Sequence, residues 1–253
     1  MTFRRLAAVV GLLVTCGACD RPKPTEATPA VSASAVPSAT VLDHAHPPID
    51  CPLRKAGLDP AGLRPFEDVQ KYIAFLERED RALWQKPDDV VSALRLHGDE
   101  MLVDLGAGSG YFAFRFAKAL PRGQVVASDV EAEMVRHVHH KAMTEAVTNV
   151  RATLIEPAVP VVPDGADVVF VCDVLHHVKD REGWLARIAS QMKPGARLAL
   201  IEFREGDLPE GPPAAAKIPR AELLRLATAA GFALATDHGR LLPHQVFFEF
   251  KKP

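Results

Sequence analysis

The sequence predicts a doubly wound α/β fold, with a seven-stranded, mostly parallel sheet and an N-terminal helical extension. Two observations support this prediction. The apolar run from Met101 to Leu105 leads straight into a glycine-rich turn, and five strand-helix units followed by a terminal pair of strands fit between residues 99 and 253. Because parallel strands bring the turns at their carboxyl ends to one edge, we expect a ligand site at that edge of the sheet.

Length and charge limit the class of partner. With 253 residues, the chain has room for one domain of about 190 residues behind an N-terminal region of different composition. Lys and Arg number 30 and Asp and Glu 32, with no basic block in the body of the chain. A nucleic-acid-binding protein would show a basic patch, so we predict no nucleic-acid partner and a small neutral or weakly charged substrate.

Residues 1–18 have the pattern of a signal peptide. Two arginines at positions 4 and 5 precede an apolar run through residues 6–14, which is too short to span a membrane. The sequence Gly-Ala-Cys at 17–19 resembles a bacterial lipoprotein cleavage site. This resemblance implies an exported chain, anchored to the membrane of a bacterial cell envelope through a lipidated Cys19. The alternative is an uncleaved start and a cytoplasmic protein.

Residues 19–50 are rich in Pro, Ala, Ser and Thr and contain few large apolar side chains. Such a segment cannot offset its ordering entropy by burial, so we predict a disordered tether. The two histidines within residues 43–46 are interpreted as solvated, and we predict no metal site. Beyond the signal region the thiols are Cys51 and Cys172, which lie too far apart for a disulfide framework and are expected to be free.

Residues 51–98 predict the helical extension. Apolar side chains at helical spacing indicate an amphipathic helix from residue 65 to about 79, and a second helix is expected across residues 87–98, opened by a proline and two acids. Residues 80–85, between the two helices, have the sequence Asp-Arg-Ala-Leu-Trp-Gln. They are expected either to cover the ligand pocket as a lid or to pack the extension onto the sheet through Trp84.

The glycine-rich turn indicates what the site binds. It contains three alternating glycines, Gly106, Gly108 and Gly110, which let the backbone turn sharply and approach a ligand. A dinucleotide fingerprint would place its third glycine one residue later, where Tyr111 stands. The carboxylate of Asp104, before the glycines, would repel a phosphate and attract an ammonium or sulfonium group. The combination resembles motif I of the class I S-adenosylmethionine (SAM) methyltransferases.

The next two strands supply further candidate cofactor residues. A strand over residues 124–128 ends at Asp129, about 20 residues past the glycines, where a ribose would present its hydroxyls to a carboxylate. Val130 and Met134 follow and are expected to flank an adenine ring, although Met134 fits the core face of its helix equally well. After a third strand, Glu156 lies where this fold often has an acceptor for the adenine amino group.

Residues 166–178 predict a buried parallel strand with polar residues at its end. A β-branched run leads to Asp173 and then to His176 and His177, at the same edge as the glycine turn. The Leu-His-His sequence here resembles the segment after the fourth strand of class I methyltransferases, especially quinone C-methyltransferases. We predict that Asp173 and His176 lie near the methyl acceptor, as a base or as orienting groups, whereas His177 is expected to cap the next helix.

The remaining elements complete the predicted sheet. A helix containing Trp184 leads to Lys-Pro-Gly at 193–195 and an apolar strand over residues 196–203 with an acid at Glu202. A further helix and two strands, the last over residues 245–250, follow. The resemblance implies a Rossmann-like methyltransferase fold over residues 99–253, with an antiparallel last strand.

The resemblance therefore implies a methyltransferase with SAM as its cofactor. It gives the acceptor only as a small molecule or a lipid-like, membrane-proximal compound, and it leaves the oligomeric state open. A nucleotide-cofactor oxidoreductase would need the glycine spacing that is absent. A non-catalytic exported ligand-binding or sensor module with the same fold is the stronger rival, because SAM is made in the cytosol. Arsenite methylation would need a thiolate cluster, for which the two remaining cysteines are too few.

Overall fold

The computed structural model describes residues 52–58 and 66–253. The expected signal peptide, the lipidated Cys19, the tether and Cys51 lie outside these described residues. The strands are β1 Met101–Leu105, β2 Gln124–Asp129, β3 Val150–Leu154, β4 Val168–Cys172, β5 Arg197–Phe203, β6 Ala233–Asp237 and β7 Gln245–Lys251. The helices are α1 Pro52–Lys55, α2 Phe66–Leu76, α3 Arg81–Gln85, α4 Pro87–Ala93, α5 Ala113–Ala119, α6 Ala132–Thr144, α7 Arg181–Gln191 and α8 Arg220–Ala229.

The strands form one sheet in the order β3-β2-β1-β4-β5-β7-β6. Strands β1 to β5 pair in parallel, and β7 runs antiparallel to both β5 and β6. The predicted doubly wound fold is confirmed, including the antiparallel last strand. The chain moves outward from β1 to β3 and then crosses back to β4, so the crevice between the carboxyl ends of β1 and β4 is the topological switch point where such folds bind ligands.

Side chains of the central strands face two separate apolar layers. In β4, Val168 and Phe170 belong to one layer, whereas Val169 and Val171 belong to the other. The first layer is covered by α4, α5 and α6 and the second by α7 and α8. Burial on both faces explains why β4 reads as a continuous apolar run, since a strand with one solvated face would alternate.

The extension contains shorter and more numerous helices than its sequence pattern predicts. Helix α2 ends at Leu76 and α4 ends at Ala93, short of the expected boundaries, and Arg95 has a left-handed φ of 47° that is incompatible with a continuing helix. Trp84 of α3 is buried, with its ring centroid 5.7 Å from that of Phe203. The extension therefore lies over the carboxyl edge of β5.

Within the part of the chain that the structure describes, no helix has both the length and the apolar character needed to cross a membrane.

Candidate functional site

The three glycines of the turn serve different purposes. All have positive φ, 82° at Gly106, 55° at Gly108 and 81° at Gly110, so an L side chain would be strained at each. A Cβ at Gly106 would overlap Val174, and one at Gly110 would lie 2.7 Å from the Phe114 ring. At Gly108 the nearest atom is Leu76 Cδ1, at 3.4 Å. Gly106 and Gly110 thus allow the loop to pack on the domain, whereas Gly108 faces the extension.

Asp104 carries a buried carboxylate oxygen without a partner. The residue is 3% exposed, and its Oδ2 has no hydrogen-bond partner among the described residues. Burial and the nearby charge of Asp129 raise the pKa of Asp104 to about 7, although Arg81 and the backbone N–H of Ala113 oppose the shift. An unpaired buried carboxylate is costly, so this oxygen is suited to a cationic or hydrogen-bond-donating ligand.

Other buried polar atoms near the same edge also lack partners within the described residues. They are Ser109 Oγ, Tyr111 Oη and Trp84 Nε1. Ser109 and Tyr111 belong to the glycine turn and its continuation, and Trp84 packs against His244 and Phe203 at the carboxyl edge of β5. Because folded proteins leave few such atoms unsatisfied, the group fits a polar ligand lying between the turn and the extension.

Asp129 connects the end of β2 to the glycine turn. Its Oδ2 accepts a 2.7 Å hydrogen bond from the backbone N–H of Gly108, and its Oδ1 accepts one of 2.9 Å from that of Glu131. Burial raises the pKa of Asp129, and these backbone donors oppose the shift. Each carboxylate oxygen keeps a further lone pair, so the side chain can still accept hydrogen bonds from ribose hydroxyls.

The candidate adenine residues lie in different environments. Val130 is 42% exposed and lies just past Asp129. Met134 is buried in a small cluster with Val69 and Ile73 of α2, which is the core-face position that the sequence also allowed. Glu156 is exposed in a turn beyond β3, where its backbone bridges to that of Val159. Val130 and Glu156 therefore have side chains accessible to a ligand, whereas Met134 joins α6 to the extension.

Asp173 is held by two glutamines that the sequence analysis missed. Gln245 Nε2, at the start of β7, donates to both carboxylate oxygens at 2.7 and 2.8 Å, and Gln85 Nε2 of α3 donates to Oδ2 at 3.0 Å. Asp173 also has a φ of 59°, a strained value for a residue other than glycine. Burial and the charge of Glu202 raise its pKa to about 6, against the effects of Arg81, His176 and the Gln245 hydrogen bond.

Cys172 lies beside this group as a free thiol. Its Sγ is 3.2 Å from Gln85 Nε2. Burial and the neighbouring carboxylate of Asp173 raise its pKa well above the usual thiol value, so the sulfur stays protonated at neutral pH. No group of metal-binding side chains occurs in the described ranges 52–58 and 66–253.

His176 forms a pair with Glu202 of β5. Its ring Nδ1 lies 2.8 Å from Glu202 Oε2, and its backbone N–H donates to Oε1 at 3.1 Å. Burial alone would lower the pKa of His176, but the hydrogen bond and charge of Glu202 raise it overall. The expectation that His177 caps the next helix is wrong: Asp180 is the N-cap of α7, and its side chain accepts from the backbone N–H of Gly183 at 3.0 Å.

Arg81 of α3 brings a positive charge to an edge that carries several carboxylates. Its guanidinium carbon lies 4.0 Å from the Tyr111 ring centroid, and its Nε donates to Gln85 Oε1. The carboxylates at this edge, each within one residue of the end of a strand, are Asp104, Asp129, Asp173 and Glu202. The extension thus both packs through Trp84 and covers the site, which combines the two alternatives that the sequence left open.

Comparison with known proteins shows that part of this chain is similar to methyltransferases. Residues 103–198 match a family model described as a methyltransferase domain. An uncharacterized methyltransferase of Mycobacterium tuberculosis is 27% identical over 124 residues, covering 49% of this chain and 61% of that protein. A ubiquinone/menaquinone biosynthesis C-methyltransferase of Stutzerimonas stutzeri is 32% identical over 124 residues, covering 48% of each chain. The chain thus spans about half to three fifths of the length of these relatives.

Solved structures show the same fold. A SAM-dependent methyltransferase from Aquifex aeolicus superposes with a TM-score of 0.66 at 22% identity, covering 76% of this chain and all of the other. Magnesium protoporphyrin IX methyltransferase from Synechocystis, solved with bound S-adenosylhomocysteine (SAH), superposes with a TM-score of 0.57 at 20% identity, covering 74% and 94% of the two chains. The segment that matches the methyltransferase-domain model, residues 103–198, includes the glycine turn, Asp129 and the Asp173–His176 segment.

Proposed function

We propose that the protein is a SAM-dependent methyltransferase that acts on a small-molecule or membrane-proximal acceptor. The observation that carries the proposal is the partnerless Asp104 Oδ2 beside a glycine turn whose middle glycine faces the extension. SAM presents a sulfonium and an ammonium group, which a carboxylate attracts, whereas the pyrophosphate of NAD would be repelled by the carboxylates at this edge.

The residues of the edge fit the parts of such a cofactor. Asp104 and the glycine turn, with Gly108 nearest the extension, would hold the methionyl half. Asp129 would accept from the ribose hydroxyls, and Val130 and Glu156 would line the adenine. Met134 would not contact the cofactor directly but would support the site by packing α6 against α2. When bound, SAM would supply a methyl group attached to a sulfonium, and SAH would leave as a neutral thioether when the acceptor takes that methyl group.

The acceptor side is formed by Asp173, His176 and Glu202. Because methyl transfer is an in-line displacement, the main task of these residues is to align the acceptor. Glu202 fixes the imidazole through Nδ1, which leaves Nε2 to accept a proton from an acceptor that must lose one. The same pair would only orient an acceptor that reacts without losing a proton.

The outer surface of the extension favours an acceptor close to a membrane. Tyr72 and Phe75 are each 55% exposed and stack on one another, and Leu83 is 78% exposed. Exposed aromatic and aliphatic side chains on short helices suit an interface with lipid. These exposed side chains and the expected lipid anchor at Cys19 both favour a lipid-like acceptor over a free metabolite.

Calorimetric titration of the full-length protein with SAM, SAH and NAD tests the proposal. We expect micromolar-scale binding of SAM or SAH and much weaker binding of NAD. Asp129→Ala should weaken SAM binding by roughly 1 to 3 kcal/mol, since charge-assisted hydrogen bonds to ribose are lost. NAD binding as tight as SAM binding would contradict the proposal. Asp180→Ala, which removes the N-cap of α7 and leaves the proposed cofactor residues intact, is the control for general destabilisation.

One observation favours a second candidate, a non-catalytic ligand-binding or sensor module. The carboxylate of Asp173 already accepts three hydrogen bonds from Gln85 and Gln245, so it has less capacity left for an acceptor than a free carboxylate would have. A protein that binds SAM but transfers no labelled methyl group to a quinone or lipid extract would support the sensor. Labelled product that disappears in His176→Ala would support the enzyme.

A further inference from the structure

We propose that Arg81 forms a subsite for the carboxylate of the cofactor's methionyl group, so that the extension closes on the amino-acid end of the cofactor. This inference rests on the proposed function. Arg81 lies on α3, outside residues 103–198 that match the methyltransferase model, and it belongs to the extension and not to the sheet.

The guanidinium of Arg81 is held in place but keeps donors available. Its face stacks on the Tyr111 ring, its Nε donates to Gln85 Oε1 and its Nη1 donates to the carbonyl oxygen of Leu76. Its Nη2 has no acceptor among the described residues. Because a guanidinium has five N–H donors in a rigid fork, the group is preorganised and still able to bind an anion in two-point fashion.

Arg81 and Asp104 together carry the two charges that would complement the carboxylate and the ammonium group of an amino acid. Arg81 stacks on Tyr111, which directly follows the glycine turn after Asp104, and it bonds to Gln85, which donates to Asp173. Its positive charge also opposes the rise in the pKa of both carboxyl groups. The ammonium and carboxylate of a methionyl group are attached to one carbon atom. Asp104, with its partnerless oxygen, would bind the ammonium, while Arg81 would bind the neighbouring carboxylate. The extension thus adds the charge that the sheet edge lacks.

This arrangement couples cofactor binding to the position of the extension. Leu76, at the end of α2, lies 3.4 Å from the place of a Cβ at Gly108, so the end of α2 lies over the turn and we expect it to move when a cofactor enters. A contact between Arg81 and the bound carboxylate would then hold α3 closed. Gln85, one turn along α3, would be returned to Asp173 by the same movement.

Binding measurements with two matched ligands test the inference. SAM and decarboxylated SAM differ only in the carboxylate, so the ratio of their dissociation constants isolates it. We expect the full-length protein to prefer SAM by at least about tenfold, the scale of a lost charge-assisted interaction, and Arg81→Met to abolish this preference while binding decarboxylated SAM normally. Arg81→Lys, which keeps the charge but loses the fork, should retain part of the preference.

Arg115→Met is the matched control. The guanidinium carbon of Arg115 lies 4.1 Å from the same Tyr111 ring centroid, but Arg115 also pairs with Asp88 and has no place in the proposed subsite. This variant loses a similar stacking contact and should keep the wild-type preference for SAM. An equal loss of preference in both variants would overturn the inference, because the effect would then come from Tyr111.

Hydrogen exchange supplies a readout independent of affinity. SAM should slow amide exchange across α2 and α3 in the wild-type protein more than saturating decarboxylated SAM does, and this difference should vanish in Arg81→Met. If the variant keeps the preference and the protection, the inference is wrong while the proposed function stands. If the wild-type protein binds neither ligand, the proposed function fails and the inference with it.

Discussion

Glu202 and His176 are joined by two hydrogen bonds, one to the imidazole ring and one to the backbone N–H of the histidine. Glu202 is only 1% exposed, and its two carboxylate oxygens accept from the Nδ1 side of the ring and from the backbone N–H, at 2.8 and 3.1 Å. One buried carboxylate on β5 therefore determines the orientation of a histidine that follows β4. This pairing joins the ends of two neighbouring strands at the proposed acceptor side.

Removing the charge of Glu202 should change the titration of His176. Glu202→Gln should lower the pKa of His176, because Glu202 raises it against the effect of burial. A base works in its deprotonated form, so the acidic limb of the pH profile of methyl transfer should move to lower pH. The total rate should also fall, since the glutamine holds the ring less firmly. NMR titration of the imidazole gives the pKa directly.

Glu249→Gln is the control for this substitution. Glu249 is also buried, and its Oε1 lies 2.7 Å from His238 Nε2, but it pairs with Arg197 at the start of β5 and not with the proposed site. It should reduce stability without moving the pH profile. An unchanged profile in Glu202→Gln would contradict a role of His176 as a base.

The raised pKa of Asp104 should make the stability of the protein fall as the pH rises towards neutrality. Its pKa is raised from 3.8 to about 7 in the folded protein, so the folded state binds more protons than the unfolded state between these values. The contribution of this group to stability is complete below pH 3.8 and is lost as the pH rises through about 7. Asp104→Asn should remove that part of the pH dependence, which denaturant titrations of the ligand-free protein at several pH values would measure.

The same group should make SAM binding depend on pH. A cationic ligand favours the ionised carboxylate, so the affinity for SAM should rise as the pH rises through about 7. Asp104→Asn should bind more weakly and with little dependence in this range. A wild-type affinity that stays constant across it would show that Asp104 does not contact the cation.

The glycines of the turn should respond differently to substitution. Gly106→Ala should lower the melting temperature strongly, because its Cβ would overlap Val174 in addition to the strain of a positive φ. Gly108→Ala meets only Leu76 Cδ1 at 3.4 Å, so it should cost about 1 kcal/mol of stability but reduce SAM affinity. Thermal melts and calorimetry of both variants decide the matter, and equal losses of stability would contradict the distinction.

The N-terminal expectation can be tested without reference to the site. Cys19→Ala should release the protein from the membrane fraction, because a diacyl anchor holds a domain through burial of methylenes at about 0.8 kcal/mol each. SAM binding should be unchanged. Mass spectrometry of the mature protein from its native host is the direct measurement: an unmodified peptide running through residues 1–20 would exclude the anchor and favour a cytoplasmic protein.

Local patterns are sufficient to predict the sheet and to bring the candidate cofactor residues to one of its edges. Strand β4 is apolar at every position because it is buried on both faces, and the glycines and Asp129 follow directly from strands β1 and β2. A residue at the end of its own strand can be identified from the local sequence, because the strand and the residue are neighbours in the chain. For this reason the sequence alone predicts that Asp104, Asp129 and Asp173 lie at one edge of the sheet.

The partners of those residues could not be predicted in the same way. Gln85, Gln245 and Glu202 meet Asp173 and His176 across sequence separations of 88, 72 and 26 residues, and no spacing rule connects them. Arg81 likewise reaches Tyr111 only because α3 folds back over the sheet. The sequence predicts which side chains lie at the edge, because each of them stands at the carboxyl end of its own strand. Which of them become paired, and which stay open to a ligand, depends on packing between distant elements.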